Sequence, residues 1–202
     1  VDGVITTSDG MVITTADNTD TLQLISTDAD ANEGPILNLY RNSGSPQDDD
    51  VLGTIKFDGE DGAGNQETYS RIYSSIMQEV SGSEDSNLYF NIMKAGTERN
   101  ALKLGRIVTI FNEDGQDIDF RVESDDNANM LFVDGGSDHV NIGTSTDLGG
   151  VLNVHSDDNT DTLVAYSSDA DSNEGPVVRL WRNSASPADG DNLGFLYFSG
   201  EN

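Results

Sequence analysis

Short runs in which apolar and polar residues alternate recur along the chain, and residues that favour turns, mainly Gly, Asn, Asp and Ser, separate them. Such alternation is typical of β-strands joined by tight turns. No segment keeps apolar residues at spacings of three and four over ten residues, so no helix is predicted. The sequence therefore predicts an all-β fold. The alternating runs lie around Leu22 and Leu24, Leu37 and Leu39, Ile55 and Phe57, 69–76, 88–93, and Leu102 and Leu104.

The chain contains a second copy of part of itself. Residues 17–60 return as residues 158–201 without a gap, and 27 of the 44 positions are identical. DADANEGP returns as DADSNEGP, and LYRNSGSP returns as LWRNSASP. The offset of 141 residues is far longer than the roughly 20–50 residues of solenoid or propeller repeats. Tandem modules of domain size are typical of a protein that must be long.

The repeat and the turn pattern divide the chain into four parts. Residues 106–150 read as four or five very short strands, joined by turns such as DGQD and DGGSDH that supply residues with positive φ. We therefore expect the end of a preceding connector at 1–10, a β-sandwich-like module at 11–105 and a β connector at 106–150. A second, truncated copy of the module occupies 151–202.

Charge and composition exclude several classes of protein. Ten basic and 37 acidic residues give a net charge of −27, and the acids are spread along the chain. Binding to a nucleic-acid backbone needs clustered Lys and Arg, so nucleic acid is excluded as a partner, and anionic membrane surfaces are disfavoured. No apolar stretch approaches the ~20 residues of a membrane span. Without cysteine there is neither a disulfide nor a thiolate metal site.

The supply of apolar residues is small for a monomeric core. Hydrophobic residues make up 35% of the chain and aromatic residues 7%. A polar β module of this kind buries too little surface by itself, so self-association is expected. In that case apolar side chains of the connector should face an axis between chains: Leu131, Phe132, Val133, Val140 and Ile142.

One acidic motif, D-x-D-x-N-E-G, occurs in both copies. Alternating oxygen ligands that end in Gly are similar to the start of a calcium loop. An EF-hand is excluded, because Gly stands one position too late and the twelfth position is Leu39. The favoured interpretation is a polar turn with Asx hydrogen bonds, and a looser calcium site is the alternative. The candidate ligands are Asp28, Asp30, Asn32 and Glu33, with Asp169, Asp171, Asn173 and Glu174 in the second copy.

An aromatic residue followed by Arg occupies equivalent positions in the two copies, as Tyr40–Arg41 and Trp181–Arg182. Exposed aromatic side chains stack on sugars or fill subunit interfaces, whereas buried ones only pack. In a chain so poor in basic residues, the two Arg are expected to pair with acids. A role for them in binding glycan is the alternative.

No catalytic site is predicted. Asp58, Glu60 and Asp61 could be taken for a glycosidase pair, but with 37 acids some pair always meets the required distance. His139 and His155 have no partner at the spacing of metal ligands. The chain lacks G-x-S-x-G, GxGxxG and P-loop motifs. We expect no enzymatic activity and no cofactor, with calcium as the one open alternative.

Two segments carry a resemblance to a known family. TLQLISTDADANEGPILNLYRNSGSPQDDDVLGTIKF and DIDFRVESDDNANMLFVDGGSDHVNIGT resemble repeated modules in tail-fibre and other virion appendage proteins of tailed bacteriophages, especially marine ones. NIGTSTD departs from the commoner GIGT-x-x-P form by lacking the first Gly and the Pro. The resemblance implies an elongated, β-rich, intertwined homotrimer in the virion or outside the cell. Its implied partners are other fibre proteins and, at a distal tip, host-surface glycans.

Together these features predict a structural segment of a fibre that spans distance and supports host attachment. Three alternatives stay open at this point. One is a carbohydrate-binding module that uses Tyr40 and Trp181, and another is a segment of a tailspike that degrades polysaccharide. The third is a cellular adhesin or surface-layer repeat.

Overall fold

The computed structural model describes residue 5, residues 7–168, residue 170 and residues 175–200. Every regular element in this part of the chain is a β-strand, so the predicted all-β class is confirmed. The fold separates into two units, Val1–Asp114 and Gly115–Asn202. The domain boundaries expected from the repeat stay a prediction. No helix among the described residues is long and apolar enough to cross a membrane.

The first unit holds a five-stranded antiparallel sheet whose strands are neighbours in chain order. The alternating runs at 69–76 and 88–93 lie in the second and third strands, which pair as a hairpin, and Leu102 and Leu104 lie at the end of the fourth strand. The strands are β1 Val51–Glu60, β2 Gln66–Gln78, β3 Asp85–Lys94, β4 Thr97–Leu104 and β5 Thr109–Phe111.

Two turns of this sheet show how local sequence sets the pairing. Between β1 and β2, Asp61 Oδ1 accepts hydrogen bonds from the amides of Ala63 and Asn65, each at 2.8 Å. Between β3 and β4, Ala95 and Gly96 both have positive φ, 50° and 74°. A two-residue turn with positive φ at both positions has the twist of a hairpin, so it holds β3 and β4 in register.

The second unit holds four short strands in chain order, and its last pair is parallel. Four strands, β5 to β8, fall within residues 106–150, where the sequence predicted four or five. The side chain of Asn141 is fully buried, and its Oδ1 accepts a hydrogen bond from Asn153 Nδ2 at 2.6 Å across the parallel pair. The strands are β6 Phe120–Val122, β7 Leu131–Asp134, β8 His139–Ile142 and β9 Leu152–Val154.

The alternation predicted strands that the chain does not form. No strand is present around Leu22 and Leu24 or around Leu37 and Leu39. A strand needs a neighbour for its hydrogen bonds, and no segment in the described part of the chain pairs with these stretches. Strand β1 has no counterpart at 192–200 either.

No apolar side chain among the described residues is buried. The buried side chains are polar: Ser75, Asn87, Asn91, Asn141 and Asn153. The accessible surface is 16805 Å² for a chain of 21.7 kDa. A compact monomer of this mass exposes roughly 9,200 Å², and two separate compact halves expose roughly 11,000 Å². The described part of the single chain therefore forms no closed apolar core: many apolar side chains are exposed, and others, such as Ile72 and Phe90, are half-buried.

Candidate interaction surface

One face of the five-stranded sheet carries an unbroken row of large apolar side chains. In the register of the sheet Ile55 is opposite Ile72, Ile72 is opposite Phe90, Phe90 is opposite Leu102, and Leu102 is opposite Phe111. Side chains directly opposite each other lie on the same side of a sheet, so each strand contributes one member of the row. In the single chain Ile55 and Phe111 are exposed, at 42% and 51%, and Ile72, Phe90 and Leu102 are half-buried.

The opposite face of the same sheet is polar and aromatic. The rings of Tyr73 and Tyr89 stack with centroids 4.6 Å apart and planes 8° apart. The guanidinium of Arg71 lies over Tyr73, 4.2 Å from the ring centroid, and pairs with the carboxylate of Glu98. Lys103 Nζ lies 5.9 Å from the centroid of Tyr89. Cation–π contacts and stacking stabilise these groups within the chain.

The protonation of this polar face follows from its contacts. Burial raises the pKa of the Tyr73 hydroxyl, so the ring stays neutral at physiological pH. The carboxylate of Glu113, 2.9 Å from Lys103 Nζ, raises the pKa of the Lys103 ammonium. The charges on this face therefore find partners within the chain. Sequence reasoning missed the Tyr stack, although Tyr73 and Tyr89 each alternate with apolar neighbours in their strands.

The second sheet has the same two-faced organisation. Across its four strands Phe120 is opposite Val133, Val133 is opposite Val140, and Val140 is opposite Leu152. The register also places Leu131 and Ile142 on this apolar side. Alternation places Phe132 on the other side, opposite Asn141, so the prediction of one common axis is wrong for Phe132.

The repeated Arg makes the same local contacts in both copies. Arg41 pairs with Asp50 at 2.8 Å and donates a hydrogen bond to the carbonyl oxygen of the next residue, Val51, at 3.1 Å. Arg182 pairs with Asp191 at 3.1 Å and donates to the carbonyl oxygen of the residue that follows it, at 3.0 Å. The expected pairing of both Arg with acids is confirmed. Their guanidinium groups serve the fold of the loop.

A second repeated contact explains a retained glycine. A Cβ atom at Gly53 would lie 2.7 Å from Cβ of Leu39. In the second copy a Cβ atom at Gly194 would lie 3.2 Å from Cβ of Leu180. Only Gly permits so close an approach of the two segments. The sequence identity of the copies therefore extends to their local contacts.

The two candidate aromatic residues are exposed to the same extent, Tyr40 at 76% and Trp181 at 77%. Many aliphatic side chains are equally exposed, and Leu163, at 82%, is one of them. Exposure by itself therefore does not distinguish a sugar-binding shelf from a surface that another chain covers. The neighbouring Arg side chains pair with acids of their own loops, and their role in binding glycan stays a prediction.

The first copy of the acidic motif is built from turns. Asp28 Oδ1 accepts a hydrogen bond from the amide of Asp30 at 3.2 Å, and Asp30 Oδ1 accepts one from the amide of Asn32 at 2.9 Å. These are the expected Asx hydrogen bonds. No metal-binding group of three acidic, His or Cys side chains occurs in the part of the chain that is described. Calcium stays a prediction, and Asp169, Asp171, Asn173 and Glu174 lie outside the described residues.

The acids once considered for catalysis have other partners. Hydrogen bonds from Thr68 and Gln66 lower the pKa of Asp58, and the amide groups of its turn lower the pKa of Asp61. A general acid needs the opposite shift, since it must hold its proton near neutral pH. His139 Nδ1 lies 3.0 Å from Asp147 Oδ1 in a surface contact.

One carboxyl does have a raised pKa. The carboxyl group of Asp48 lies against that of Glu79, and this contact raises the pKa of Asp48. Both side chains are exposed, and like charges at the surface have the same effect without any catalytic role. The raised pKa of Asp48 is therefore not by itself a sign of a catalytic carboxyl.

Comparison with models of known protein families gave no match, and comparison with curated proteins gave no significant match. The resemblance to tail-fibre repeats therefore stays a prediction.

Proposed function

We propose that the chain is a structural segment of a homo-oligomeric fibre of the virion tail-fibre type, which spans distance and supports attachment to a host. The observation that carries the proposal is the absence of any buried apolar side chain in the described residues, together with an accessible surface of 16805 Å². This area is roughly 6,000 Å² more than two compact halves would expose. Obligate interfaces bury areas of this order.

The repeat supports a role in extending the protein over a distance rather than a catalytic role. A second copy of residues 17–60 begins 141 residues after the first and makes the same local contacts. Modules in tandem extend a protein by a fixed step. In this proposal the tandem modules are sandwich-like, three chains wind together, and their carboxylates face water, with other fibre proteins as neighbours at the ends.

The mass and shape of the particle test the proposal. Light scattering on the full chain, eluted from a sizing column at micromolar concentration, should give three chains per particle. Sedimentation velocity should give a frictional ratio well above that of a compact sphere of the same mass. A monomer that gives a sharp, cooperative thermal transition would contradict the proposal.

A test of location separates a virion fibre from a cellular adhesin. Antibodies raised against the full chain should label the appendages of virus particles in electron micrographs of negatively stained lysates. Labelling confined to the surface of uninfected cells would favour the adhesin alternative.

A further inference from the structure

We propose that residues 192–200 bind an extended polypeptide segment that has the side-chain pattern of β2, and that this segment adds to them as an antiparallel strand. Residues 192–200 are the counterpart of β1 in the second copy and are called here the β1-like segment. The inference goes beyond the proposed function, because it holds whether or not the chain forms a fibre.

The first copy shows what such a segment pairs with when the partner is present. Residues 51–60 form β1, which pairs antiparallel with β2. Just before β1 the amide of Asp49 donates to the carbonyl oxygen of Ile76 in β2 at 2.8 Å, and the amide of Ile76 donates to the carbonyl oxygen of Asp50 at 2.9 Å. In the second copy the equivalent amide, that of Gly190, has no backbone partner among the described residues. The β1-like segment therefore lacks the contacts that β2 supplies in the first copy.

The loop before the β1-like segment already has the contacts of its counterpart in the first copy. Arg182 pairs with Asp191, and the amide of Asp191 donates to the carbonyl oxygen of Ala188 at 3.2 Å, as the equivalent residues do in the first copy. Gly194 lies against Leu180 in the same way as Gly53 lies against its own leucine. The second copy therefore forms these contacts without a β2 strand. Because they are already formed, an incoming strand has less of the site to order.

The β1-like segment exposes a nearly continuous run of apolar side chains. Leu193, Phe195, Leu196, Tyr197 and Phe198 are between 58% and 91% exposed. The rings of Phe195 and Tyr197 contact each other with centroids 5.6 Å apart, and residues two apart in a strand share a side in this way. Burial of apolar area contributes about 25 cal/mol per Å², and strand addition also provides main-chain hydrogen bonds. Both the side chains and the backbone of this segment are therefore stabilised by an added strand.

The charge pattern indicates that the strand which fits is one of the β2 type. In the register of the first copy, Lys56 of β1 is opposite Arg71 of β2. Like charges directly opposite each other destabilise a pair of strands. The second copy has Tyr197 at the position of Lys56, and a Tyr ring forms a favourable cation–π contact with an Arg side chain. The β1-like segment therefore replaces the one unfavourable charge pair of this register with an attractive pair.

Two neighbouring positions agree with this match. Phe195 stands where β1 has the residue opposite Tyr73, and Leu196 stands where β1 has the residue opposite Ile72. An aromatic side chain would then be opposite an aromatic one, and an aliphatic side chain opposite an aliphatic one. Cross-strand pairs of these kinds stabilise a sheet. The pattern of β2 is therefore complementary to the β1-like segment at three successive positions.

Binding of a labelled peptide to the full chain tests the inference. The peptide QETYSRIYSSIMQ, which repeats Gln66–Gln78, carries fluorescein at its N-terminus, and its anisotropy is measured as the full chain is added. We expect saturable binding. Leu196→Asp places a carboxylate opposite an apolar side chain of the peptide and should weaken binding roughly tenfold or more. Leu163→Asp is the matched control, because Leu163 is 82% exposed and lies outside the β1-like segment, and it should change the Kd by less than about threefold.

An exchange of charges tests the register. Tyr197→Lys gives the β1-like segment the residue that β1 has at this position, so it should weaken binding of the unaltered peptide. A peptide with Arg71→Glu should bind the Tyr197→Lys chain more tightly than the unaltered peptide does, and should bind the wild-type chain less tightly. Attraction between apolar surfaces in general would not reverse the order of the two peptides. The same order with both chains would overturn the inference.

Hydrogen exchange on the wild-type chain locates the peptide without any substitution. Amide exchange within 192–200 should slow when the peptide is bound. Unchanged exchange there, equal binding of a peptide with the same residues in shuffled order, or no saturable binding at all would overturn the inference. Residues 192–200 belong to neither sheet, so circular dichroism should be the same for all the variants. The mass and shape of the particle decide the fibre proposal separately, so either proposal can fail while the other stands.

Discussion

At the scale of single residues, several turn positions have positive φ, and not every residue at these positions favours that left-handed conformation. Asp49 has φ of 68°, and its counterpart in the second copy is Gly190, with φ of 87°. The same turn is thus built once with Asp and once with Gly, which explains this difference between the copies. Ala95, with φ of 50°, has neither the freedom of Gly nor the side-chain oxygen of Asp or Asn.

The first prediction concerns this strained turn. Ala95→Asn should raise the free energy of unfolding by about 1 kcal/mol, because Asn tolerates positive φ and Ala does not. Ala63→Asn is the control, since Ala63 lies in the β1–β2 turn and does not have positive φ. Midpoints of denaturation at fixed protein concentration provide the measurement. A lower midpoint for Ala95→Asn would mean that the left-handed turn does not form in solution.

The second prediction concerns pH and Asp61. Hydrogen bonds from the side chain and amide of Asn65 and the amide of Ala63 lower the pKa of Asp61 below its unfolded value, about 3.9. The stability contributed by this carboxylate is therefore present above about pH 4 and is lost as the pH falls through the folded pKa. Asp61→Asn keeps an oxygen for the amides but cannot carry the charge.

The difference in stability between wild type and Asp61→Asn isolates this one group, because all other carboxylates titrate in both proteins. Wild type should be the more stable at pH 7, and its advantage should shrink between pH 5 and pH 3. Thermal melts across that range measure it. An advantage independent of pH would show that the charge of Asp61 plays no part.

At the scale of elements, the sequence predicted the strands that pair with the next strand along the chain. It also predicted strands at segments that have no such partner, and these strands do not form. Alternation predicted β1 to β4 because each forms a hairpin with the next strand. The same alternation around Leu22 and Leu37 does not form a strand. An alternating pattern indicates which side chains share one side of a strand, but it does not indicate which segment supplies the partner strand. The Ala–Gly turn before Thr97 was missed because Ala rarely occupies such a position.

Of the candidate surface, the sequence predicted a local ion pair but not the alignment of apolar residues across several strands. Sequence reasoning expected Arg41 to pair with an acid, and the pairing with Asp50 confirms this. It did not identify the apolar row on one side of the first sheet, because the register of five strands is needed to see that their apolar residues align. It also assigned Phe132 to the same side as its neighbours Leu131 and Val133, although successive residues in a strand point to opposite sides.

The third prediction concerns Gly143, which follows β8 in the NIGT motif. Its φ is 81°, and a Cβ atom there would lie 2.3 Å from the carbonyl oxygen of His155. Gly149 also has positive φ, 88°, but no atom lies within 4 Å of the site where its Cβ would be. Gly143→Ala therefore adds crowding to the strain of about 1–2 kcal/mol that both variants share.

Gly143→Ala should accordingly lower the free energy of unfolding by more than Gly149→Ala, and it should increase amide exchange in β8 and β9. Hydrogen exchange followed by mass spectrometry resolves these strands. Equal effects of the two substitutions would mean that the backbone of His155 does not approach Gly143 in solution.

At the scale of the whole molecule, apolar attraction and charge repulsion act against each other. The apolar side chains that a single chain leaves exposed favour association, and a net charge of −27 on every chain opposes it. Pairs such as Arg41–Asp50 lie within one chain, and exposed ion pairs of this kind contribute only about 0–1 kcal/mol each. Repulsion between chains involves many more uncompensated carboxylates than there are ion pairs. Repulsion is therefore the larger electrostatic term.

The last prediction follows from this balance. Sodium chloride should stabilise the assembly, because the Debye length falls from about 30 Å at 0.01 M to about 3 Å at 1 M and the chains then repel each other less. Screening also weakens the ion pairs within each chain, but these contribute little. The melting temperature at fixed protein concentration should rise steeply up to about 0.15 M salt and level off towards 1 M. Sucrose at matched osmolality is the control for solvent effects unrelated to charge. A melting temperature that falls with salt would mean that attractive ion pairs between chains hold the assembly together, and burial of apolar side chains would then not be its main source of stability.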